Sequence, residues 1–213
     1  MWVYEKRLQF PVNIKEPNAK MAQFIMSQYG GPDGEMGASM RYLSQRYSMP
    51  YKECKAVLTD IGTEELAHLE IVSTIVHQLT RGLSVEEIEK SGLAPYYVDH
   101  TVGIWPQAAG GIPFNACEFQ SKGDAITDLY EDMAAEQKAR STYDNILRMV
   151  KDPDVADPIR FLRAREIVHF QRFGEALRIL QDELDSKNFY AYNPSFDKPV
   201  SCPVSSGGCI ESN

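Results

Sequence analysis

Residues 58–79 (LTDIGTEELAHLEIVSTIVHQL) contain an apolar stripe that two polar residues interrupt at its centre. Its members recur at alternating steps of three and four residues: Leu58, Ile61, Glu65, His68, Val72, Ile75 and Leu79. This spacing is typical of the buried seam of a helix in a helical bundle. We therefore predict a helix over residues 51–81 whose buried face carries a carboxylate and an imidazole one turn apart.

A second stripe repeats the first one 101 residues further along the chain. Its members are Ile159, Leu162, Glu166, His169, Phe173, Ala176 and Leu180. The same offset relates Glu35 to Glu136 and Tyr42 to Tyr143. Each half of the chain thus supplies a Glu, a Tyr one heptad later, and a Glu-x-x-His that starts 30 residues after the first Glu. An internal duplication of a helix pair is the simplest explanation.

Four Glu side chains in one bundle core require a compensating charge. Burying an uncompensated carboxylate costs several kcal/mol, whereas a whole domain is stable by only roughly 5–15 kcal/mol. Glu and His at positions i and i+3 of a helix point to the same side, so each Glu-x-x-His can converge on one ion. Two such pairs, with one Glu from each remaining helix, form the ligand set of dinuclear carboxylate proteins built on four-helix bundles. The sequence therefore predicts a dinuclear metal site.

The remaining pattern predicts an all-α fold, a ferritin-like four-helix bundle with a long crossover between its second and third helices. Such a crossover suits a bundle whose two middle helices run parallel. Ser84 is expected to cap a short helix inside the otherwise irregular crossover, and residues 151–158 (KDPDVADP) are expected to form a turn. The predicted helices span residues 18–28, 32–49, 51–81, 84–91, 124–150 and 158–185.

The domain organisation follows from these helices and from the composition of the chain ends. We expect one bundle domain over residues 1–185 with an extended arm at 1–17, followed by an extended tail at 186–213. The tail is expected to wrap the surface or a partner, and its Cys202 and Cys209 are candidates for cross-links. Cys54 and Cys117 are interpreted as buried or free thiols, since no C-x-x-C motif is present.

Bulk composition argues against several classes of partner. The 213-residue chain has a net charge of -8 and no block of Lys or Arg, so we expect no binding to nucleic acid or anionic lipid. It contains neither a signal-peptide pattern at its start nor an apolar run of about 18 residues. We therefore expect cytoplasmic synthesis and no membrane span.

Four segments resemble the manganese catalases, particularly the short spore-coat (CotJC-type) members of spore-forming bacteria. They are GGPDGEMGASMRYLSQRY at 30–47, LTDIGTEELAHLEIV at 58–72, DLYEDMAAEQKAR at 128–140 and FLRAREIVHFQRF at 161–173. The opening MWVYEKRLQFPV is also similar to those coat proteins, and the resemblance extends to about residue 185. It implies two manganese ions per chain, disproportionation of hydrogen peroxide to water and dioxygen, and a location in the spore coat.

The resemblance also implies a role for each site residue. Glu35, Glu65 and His68 would hold one manganese ion, and Glu136 and His169 the other, with Glu65 bridging the two. Glu166 matches a carboxylate that is not a direct ligand in this family but serves as a proton shuttle. Tyr42 matches a tyrosine that hydrogen-bonds a ligand carboxylate.

Two positions depart from well-studied members of that family. Ala135 stands where some have an Arg, and Tyr143 where others have a Lys. Both basic residues act outside the direct ligands, so their absence bears on the catalytic rate and not on metal binding. The family further implies a homo-oligomer, commonly a hexamer, and other coat proteins are candidate partners.

Two alternatives stay open at this point. A ferritin- or rubrerythrin-like protein would hold iron in the same ligands, because oxygen and nitrogen sites bind iron slightly more tightly than manganese. The lack of paired cysteines argues against rubrerythrin. The other alternative is a mainly structural coat protein that keeps its metal site for stability.

Overall fold

The computed structural model describes residues 3–184, and these form eight α-helices and one 3-10 helix. The helices are α1 (Ala19–Ile25), α2 (Ser27–Gly30), α3 (Glu35–Gln45), α4 (Lys52–Thr80), α5 (Val85–Ser91), α6 (Ala94–His100), the 3-10 helix (Ala116–Phe119), α7 (Ala125–Met149) and α8 (Pro153–Glu183). Helices α3, α4, α7 and α8 pack together as a four-helix bundle. The prediction of an all-α bundle is confirmed.

Contacts between facing helices fix their directions. On α4 and α8, the Cys54 thiol donates to the Ala176 carbonyl at 3.6 Å and Arg172 donates to Asp60 at 2.7 Å, so these helices run antiparallel. Helices α3 and α7 also run antiparallel, because Glu35 at the start of α3 contacts Tyr143, whereas Tyr42 further along α3 contacts Glu136, which precedes Tyr143 on α7. Since α3 and α4 form a hairpin, α4 and α7 must run parallel. The connection over residues 81–124 therefore returns the chain along the bundle, a distance of roughly 40 Å for a helix of this length.

The apolar core lies in two clusters on either side of a central polar layer. One cluster joins the last turns of α4, including Ile75 and Leu79, to Ile159 and Leu162 on α8. The other joins Leu58 and Ile61 to the far part of α8. Each predicted stripe therefore contributes apolar residues to both clusters and polar residues to the layer between them.

The described part of the N-terminal arm, residues 3–17, lies along α4 without forming a helix. Ile14 is fully buried, and its backbone N–H donates to the Gln78 side chain at 2.6 Å. Phe10 stacks on Phe161 of α8, with ring centroids 4.9 Å apart. These contacts cover the side of the bundle on which α4 meets α8.

The crossover contains more regular structure than its sequence suggested. Ser84 caps α5 as predicted, in a capping box with Glu87, and Gly92 ends that helix in the left-handed conformation that glycine adopts without strain. The expectation that the rest is irregular was wrong for α6 and for the 3-10 helix. Pro95 near the start of α6 fits the first turn of a helix, where its missing N–H has no partner to lose.

The largest boundary error concerns residues 151–158, which were expected to form a turn. Helix α8 instead begins at Pro153, and the Asp152 side chain caps it by accepting from the Asp154 N–H at 2.9 Å. Pro158 lies inside the helix and is buried. Because proline has no N–H, Pro158 cannot donate to the Asp154 carbonyl in the second turn. Burial of its ring offsets the loss of that hydrogen bond.

Two further predicted helices differ from the structure in their bounds. The helix expected over 18–28 is divided into α1 and α2, and α2 includes Gly30 rather than ending before it. The helix expected over 32–49 begins only at Glu35 and ends at Gln45. The expected tail at 186–213, with Cys202 and Cys209, lies outside the described residues. Within those residues Cys54 is buried, Cys117 is exposed, and both are free.

None of the helices in the described residues combines the length and the apolar character that crossing a bilayer requires.

Gly62 allows α3 and α4 to approach closely, and its replacement tests this contact. A Cβ at Gly62 would lie 2.9 Å from Leu43 Cγ and 3.2 Å from the Leu43 backbone nitrogen. Gly62→Ala should gain up to about 1 kcal/mol of helix propensity but lose about 1–3 kcal/mol to overpacking, and so lower the free energy of unfolding. Gly174→Ala on α8 is the matched control, because its Cβ would meet Met133 Cε at an ordinary 3.5 Å. Chemical denaturation measures both, and equal stabilisation by the two variants would contradict the close approach.

Candidate metal centre

The central polar layer contains all six of the Glu and His residues predicted for the site. Each is at most 2% exposed: Glu35 on α3, Glu65 and His68 on α4, Glu136 on α7, and Glu166 and His169 on α8. One ligand atom from each of Glu65, His68, Glu166 and His169 lies within 4.8 Å of the others. The four helices therefore bring together residues that are up to 134 positions apart in the chain.

Glu65 occupies the middle of this group. Its Oε2 lies 2.8 Å from His68 Nδ1, and its Oε1 lies 2.7 Å from His169 Nδ1. One carboxylate thus faces both imidazoles, one oxygen to each. This is the placement that a bridging ligand would need, and the ligand assignment itself stays a prediction.

Two outer carboxylates flank the imidazoles on opposite sides. Glu35 Oε2 lies 3.7 Å from His68 Nδ1, and Glu136 Oε2 lies 3.5 Å from His169 Nδ1. Glu35 thus lies beside His68 and Glu136 beside His169, and the assignment of each pair to one ion stays a prediction. In both halves the Nδ1 atom of the imidazole faces the carboxylates.

Two tyrosines hold the outer carboxylates through a crossed pair of hydrogen bonds. Tyr42 on α3 donates to Glu136 on α7 at 2.6 Å, while Tyr143 on α7 donates to Glu35 on α3. No role at the site was predicted for Tyr143. The offset of 101 residues already related the two tyrosines and was the signal that could have assigned them matching roles.

Sequence reasoning missed Glu64, the neighbour of the central carboxylate. Its side chain lies on the far side of both imidazoles, 3.0 Å from His169 Nε2 and 3.5 Å from His68 Nε2. The available signal was its position four residues before His68, which puts the two side chains one turn apart on α4.

Glu166 differs from the other carboxylates in its surroundings. Burial raises its pKa well above the ordinary value, and the charges of Glu136, Glu35 and Glu65 raise it further. The side chain therefore holds a proton in the metal-free protein. Its Oε1 atom is buried and forms no hydrogen bond with any described residue. A protonated carboxyl with an open oxygen is suited to exchanging a proton with a molecule in the site.

The pKa shifts of Glu35, Glu65 and His169 indicate which of these groups are charged in the metal-free centre. Burial and the nearby Glu65 raise the pKa of Glu35 to about 8. Burial opposes ionisation of Glu65 as well, but the charges of His169 and His68 outweigh it and lower its pKa. Burial would lower the pKa of His169, yet Glu65 and the other adjacent carboxylates raise it to about 12. Protons on imidazoles and outer carboxylates thus balance the charge of the metal-free layer.

The residues fit a pair of divalent cations. Several buried polar atoms of this layer lie close together without the alignment of a hydrogen bond: Glu65 Oε1, Glu136 Oε2 and His169 Nδ1. Glu166 Oε1 is also buried and forms no hydrogen bond with any described residue. Oxygen and imidazole nitrogen atoms that converge in this way could be satisfied together by positive ions. Carboxylate oxygens suit manganese, and imidazole nitrogens suit iron and the later metals, so a mixed set accepts either manganese or iron.

A narrow opening between α3 and α7 leads to this layer. Small residues form much of its wall, namely Gly34, Ala38, Ala135 and Ala139, and Glu35 and Glu166 lie at its inner end. Its volume is about 10 Å³, the space of one water-sized molecule. Arg41 also lines the opening, donating to the Glu118 carbonyl at 3.0 Å. A larger cleft of about 940 Å³ lies beneath the N-terminal arm, away from the metal layer.

A buried layer of four Glu and two His inside an antiparallel bundle defines the class of dinuclear carboxylate proteins. Within that class, the chain belongs to the manganese catalase family, because the sequence model described as "Manganese containing catalase" matches residues 1–199.

Individual relatives agree with this family. The chain is 50% identical to Protein CotJC of Bacillus subtilis (strain 168) over 190 residues, which cover 89% of this chain and 100% of that protein. It is 34% identical to a probable manganese catalase of Clostridium acetobutylicum, with 89% of this chain and 85% of that protein covered. The crystal structure of wild-type KatB, a manganese catalase from Anabaena, matches with a TM-score of 0.79 at 26% identity, covering 98% of this chain and 93% of that one. This match confirms the ferritin-like bundle.

The pKa shifts in the metal-free layer predict how the stability of the protein depends on pH. His169 has a pKa of 6.5 when unfolded and about 12 when folded, and Glu35 has 4.5 and about 8. Between pH 6.5 and 8 the folded chain therefore holds protons that the unfolded chain has lost, so the free energy of unfolding should fall as pH rises. Manganese must displace those protons, so its affinity should rise over the same range.

Urea denaturation at pH 6.5, 7.2 and 8, with and without Mn²⁺, measures both trends. The metal-free protein should lose stability across the series, and the stabilisation that Mn²⁺ adds should grow. A metal-free stability that increases toward pH 8 would contradict the assigned protonation.

Proposed function

We propose that this protein binds two manganese ions per chain and disproportionates hydrogen peroxide to water and dioxygen. The observation that carries the proposal is the buried layer of Glu and His whose ligand atoms converge within 4.8 Å, in a chain of the manganese catalase family. Glu35, Glu65 and His68 would hold one ion, and Glu136 and His169 the other, with Glu65 between them. The position of Glu65 between the two Nδ1 atoms supports this assignment.

The protein residues would orient the ligand carboxylates and exchange protons during the reaction. When bound, the manganese pair supplies the two-electron redox change that each half of the disproportionation requires. Glu166 would give and take the protons, because its raised pKa keeps a proton available beside the layer. Tyr42 and Tyr143 would keep the outer carboxylates aimed at the centre.

The narrow opening would restrict which molecules reach the layer. Peroxide is little larger than water, and the opening has room for about one water. Ala135, where some family members have Arg, keeps the wall small and uncharged at that point. Arg41 is the cationic side chain among the residues that line the opening, so it would partly replace the missing positive charge.

The biological setting proposed is the spore coat, where a peroxide-removing enzyme would act in a homo-oligomer or with other coat proteins. The 50% identity to CotJC over the whole of that protein supports this setting. The same identity keeps a mainly structural coat role as the second candidate, in which the metal pair only stabilises the bundle. A di-iron oxidase or peroxidase is the third, because the ligand types accept iron.

Metal content and oxygen release distinguish these three functions. Protein expressed with both metals supplied should contain about two manganese ions per chain by elemental analysis and should release dioxygen from hydrogen peroxide at an electrode. Iron in place of manganese would indicate the ferritin-like function. Two manganese ions with no dioxygen released would leave the structural role.

Glu166→Gln tests the proton shuttle. The variant should retain two manganese ions while oxygen release falls by about 10²- to 10⁴-fold, because the amide cannot exchange a proton at neutral pH. Glu136→Gln is the matched comparison, because Glu136 is as deeply buried as Glu166. We expect this variant to lose metal, since Glu136 is a proposed ligand. If Glu166→Gln lost one manganese outright, Glu166 would be a ligand and the shuttle assignment would be wrong.

A further inference from the structure

One carboxylate, Glu64, contacts both imidazoles of the centre from outside the metal layer. Its Oε2 is 3.0 Å from His169 Nε2, and its Oε1 is 3.5 Å from His68 Nε2. Arg165 donates to it in a bidentate pair, Nε to Oε1 at 2.8 Å and Nη2 to Oε2 at 3.0 Å. Gln9 of the N-terminal arm adds a further donor at 2.8 Å. The Glu64 side chain is 16% exposed.

The contact with Glu64 bears on which ring nitrogen of each imidazole carries the proton. A neutral imidazole that binds a metal through Nδ1 must carry its proton on Nε2, and that N–H needs an acceptor. Both Nδ1 atoms face the carboxylates of the layer, and both Nε2 atoms face Glu64. Glu64 is hydrogen-bonded to His169 Nε2 at 3.0 Å, whereas its 3.5 Å approach to His68 Nε2 is not a hydrogen bond in this structure. A small movement of Glu64 or of the His68 ring would complete the second bond, so Glu64 is placed to favour the same tautomer in both histidines.

The internal duplication shows that this arrangement is asymmetric. Glu64 and Arg165 are themselves 101 residues apart, so they occupy equivalent positions in the two halves. A strict repeat would give each histidine a carboxylate four residues before it. Here the second half has a guanidinium at that position, and it binds the carboxylate of the first half. One carboxylate consequently lies beside two histidines. The guanidinium of the second repeat balances the charge of the carboxylate in the first.

We propose that Glu64 is a shared positioning residue that holds both histidines in the metal-binding tautomer, and that Arg165 holds Glu64 in place. The proposal rests on the metal centre inferred above but not on the peroxide chemistry. It assigns to Glu64 a role in metal affinity, through two ligands at once, without direct contact with either ion.

The neighbouring ion pair on the same two helices provides a control. Asp60 on α4 accepts from Arg172 on α8 at 2.7 Å, and it lies one turn from Glu64. This pair is more exposed, with side-chain exposures of 64% and 37% for Asp60 and Arg172. It links α4 to α8 but contacts neither histidine. If Glu64 only joined the helices, the two pairs would respond alike to substitution.

The experiment compares Glu64→Gln with Asp60→Asn, since each replaces a carboxylate by an amide of equal size. Mn²⁺ affinity of the metal-free protein is measured by competition with a metallochromic chelator, and the loaded protein is examined by electron paramagnetic resonance. A glutamine offers a single acceptor oxygen, so at least one imidazole would face an amide N–H₂ instead of an acceptor. We expect Glu64→Gln to bind Mn²⁺ about 10- to 100-fold more weakly and to change the resonance spectrum.

Arg165→Gln and Arg172→Gln extend the comparison to the guanidinium partners. Arg165→Gln should weaken Mn²⁺ binding by less than Glu64→Gln, because Glu64 keeps its acceptors but loses its bidentate support. Asp60→Asn and Arg172→Gln should leave both the affinity and the spectrum unchanged, whatever their effect on the melting temperature of the metal-free protein.

Several results would overturn the inference. An affinity for Glu64→Gln within threefold of the unsubstituted protein, with the same spectrum, would do so, as would an equal loss in Asp60→Asn. Failure of the unsubstituted protein to bind Mn²⁺ would overturn both this inference and the proposed function. Binding of two Mn²⁺ without oxygen release would contradict only the peroxide chemistry, and the affinities of the variants would still decide the role of Glu64.

Discussion

The charge balance of one buried layer constrains the whole structure. Four carboxylates and two imidazoles lie buried in the middle of the bundle, where an unpaired charge is far more costly than at the surface. Protons balance this layer in the metal-free chain, and two divalent cations can replace them. The apolar clusters on either side lower the local dielectric constant, which strengthens electrostatic interactions inside the layer. The bundle therefore needs either protons or metal at its centre, and metal affinity is linked to pH.

The two halves of the bundle are equivalent in backbone position but not in chemistry. Tyr42 and Tyr143 keep the symmetry, since each holds the outer carboxylate of the opposite half. Glu65 and Glu166 break it, because one lies between the two imidazoles and the other carries a proton beside them. A symmetric pair of bridging carboxylates would leave no group free to exchange protons at the centre. On the proposed assignment, the difference between these two residues would add proton exchange to metal binding at this site.

Much of the fold and of the site was predictable from local pattern. Side chains spaced by three and four residues must share a helix face, so the stripes of α4 and α8 and their central Glu-x-x-His pairs could be read directly. The capping box at Ser84 was predictable because its two residues lie within one turn. The start of α8 was not, because proline is both a helix breaker and a good first residue, and only burial against the core decides which applies to Pro153 and Pro158.

The sequence by itself determined the helix pairs, the duplication and the residue types that could hold two metal ions, since each of these follows from spacing along one chain. Only the tertiary structure decided which atoms face one another. The contact of Glu64 with His169, its pairing with Arg165 and the narrow opening beside Ala135 all lie between different helices. Periodicity shows which face of each helix is buried, but such contacts also depend on how closely the helices approach and on their relative positions along the bundle, which periodicity does not give.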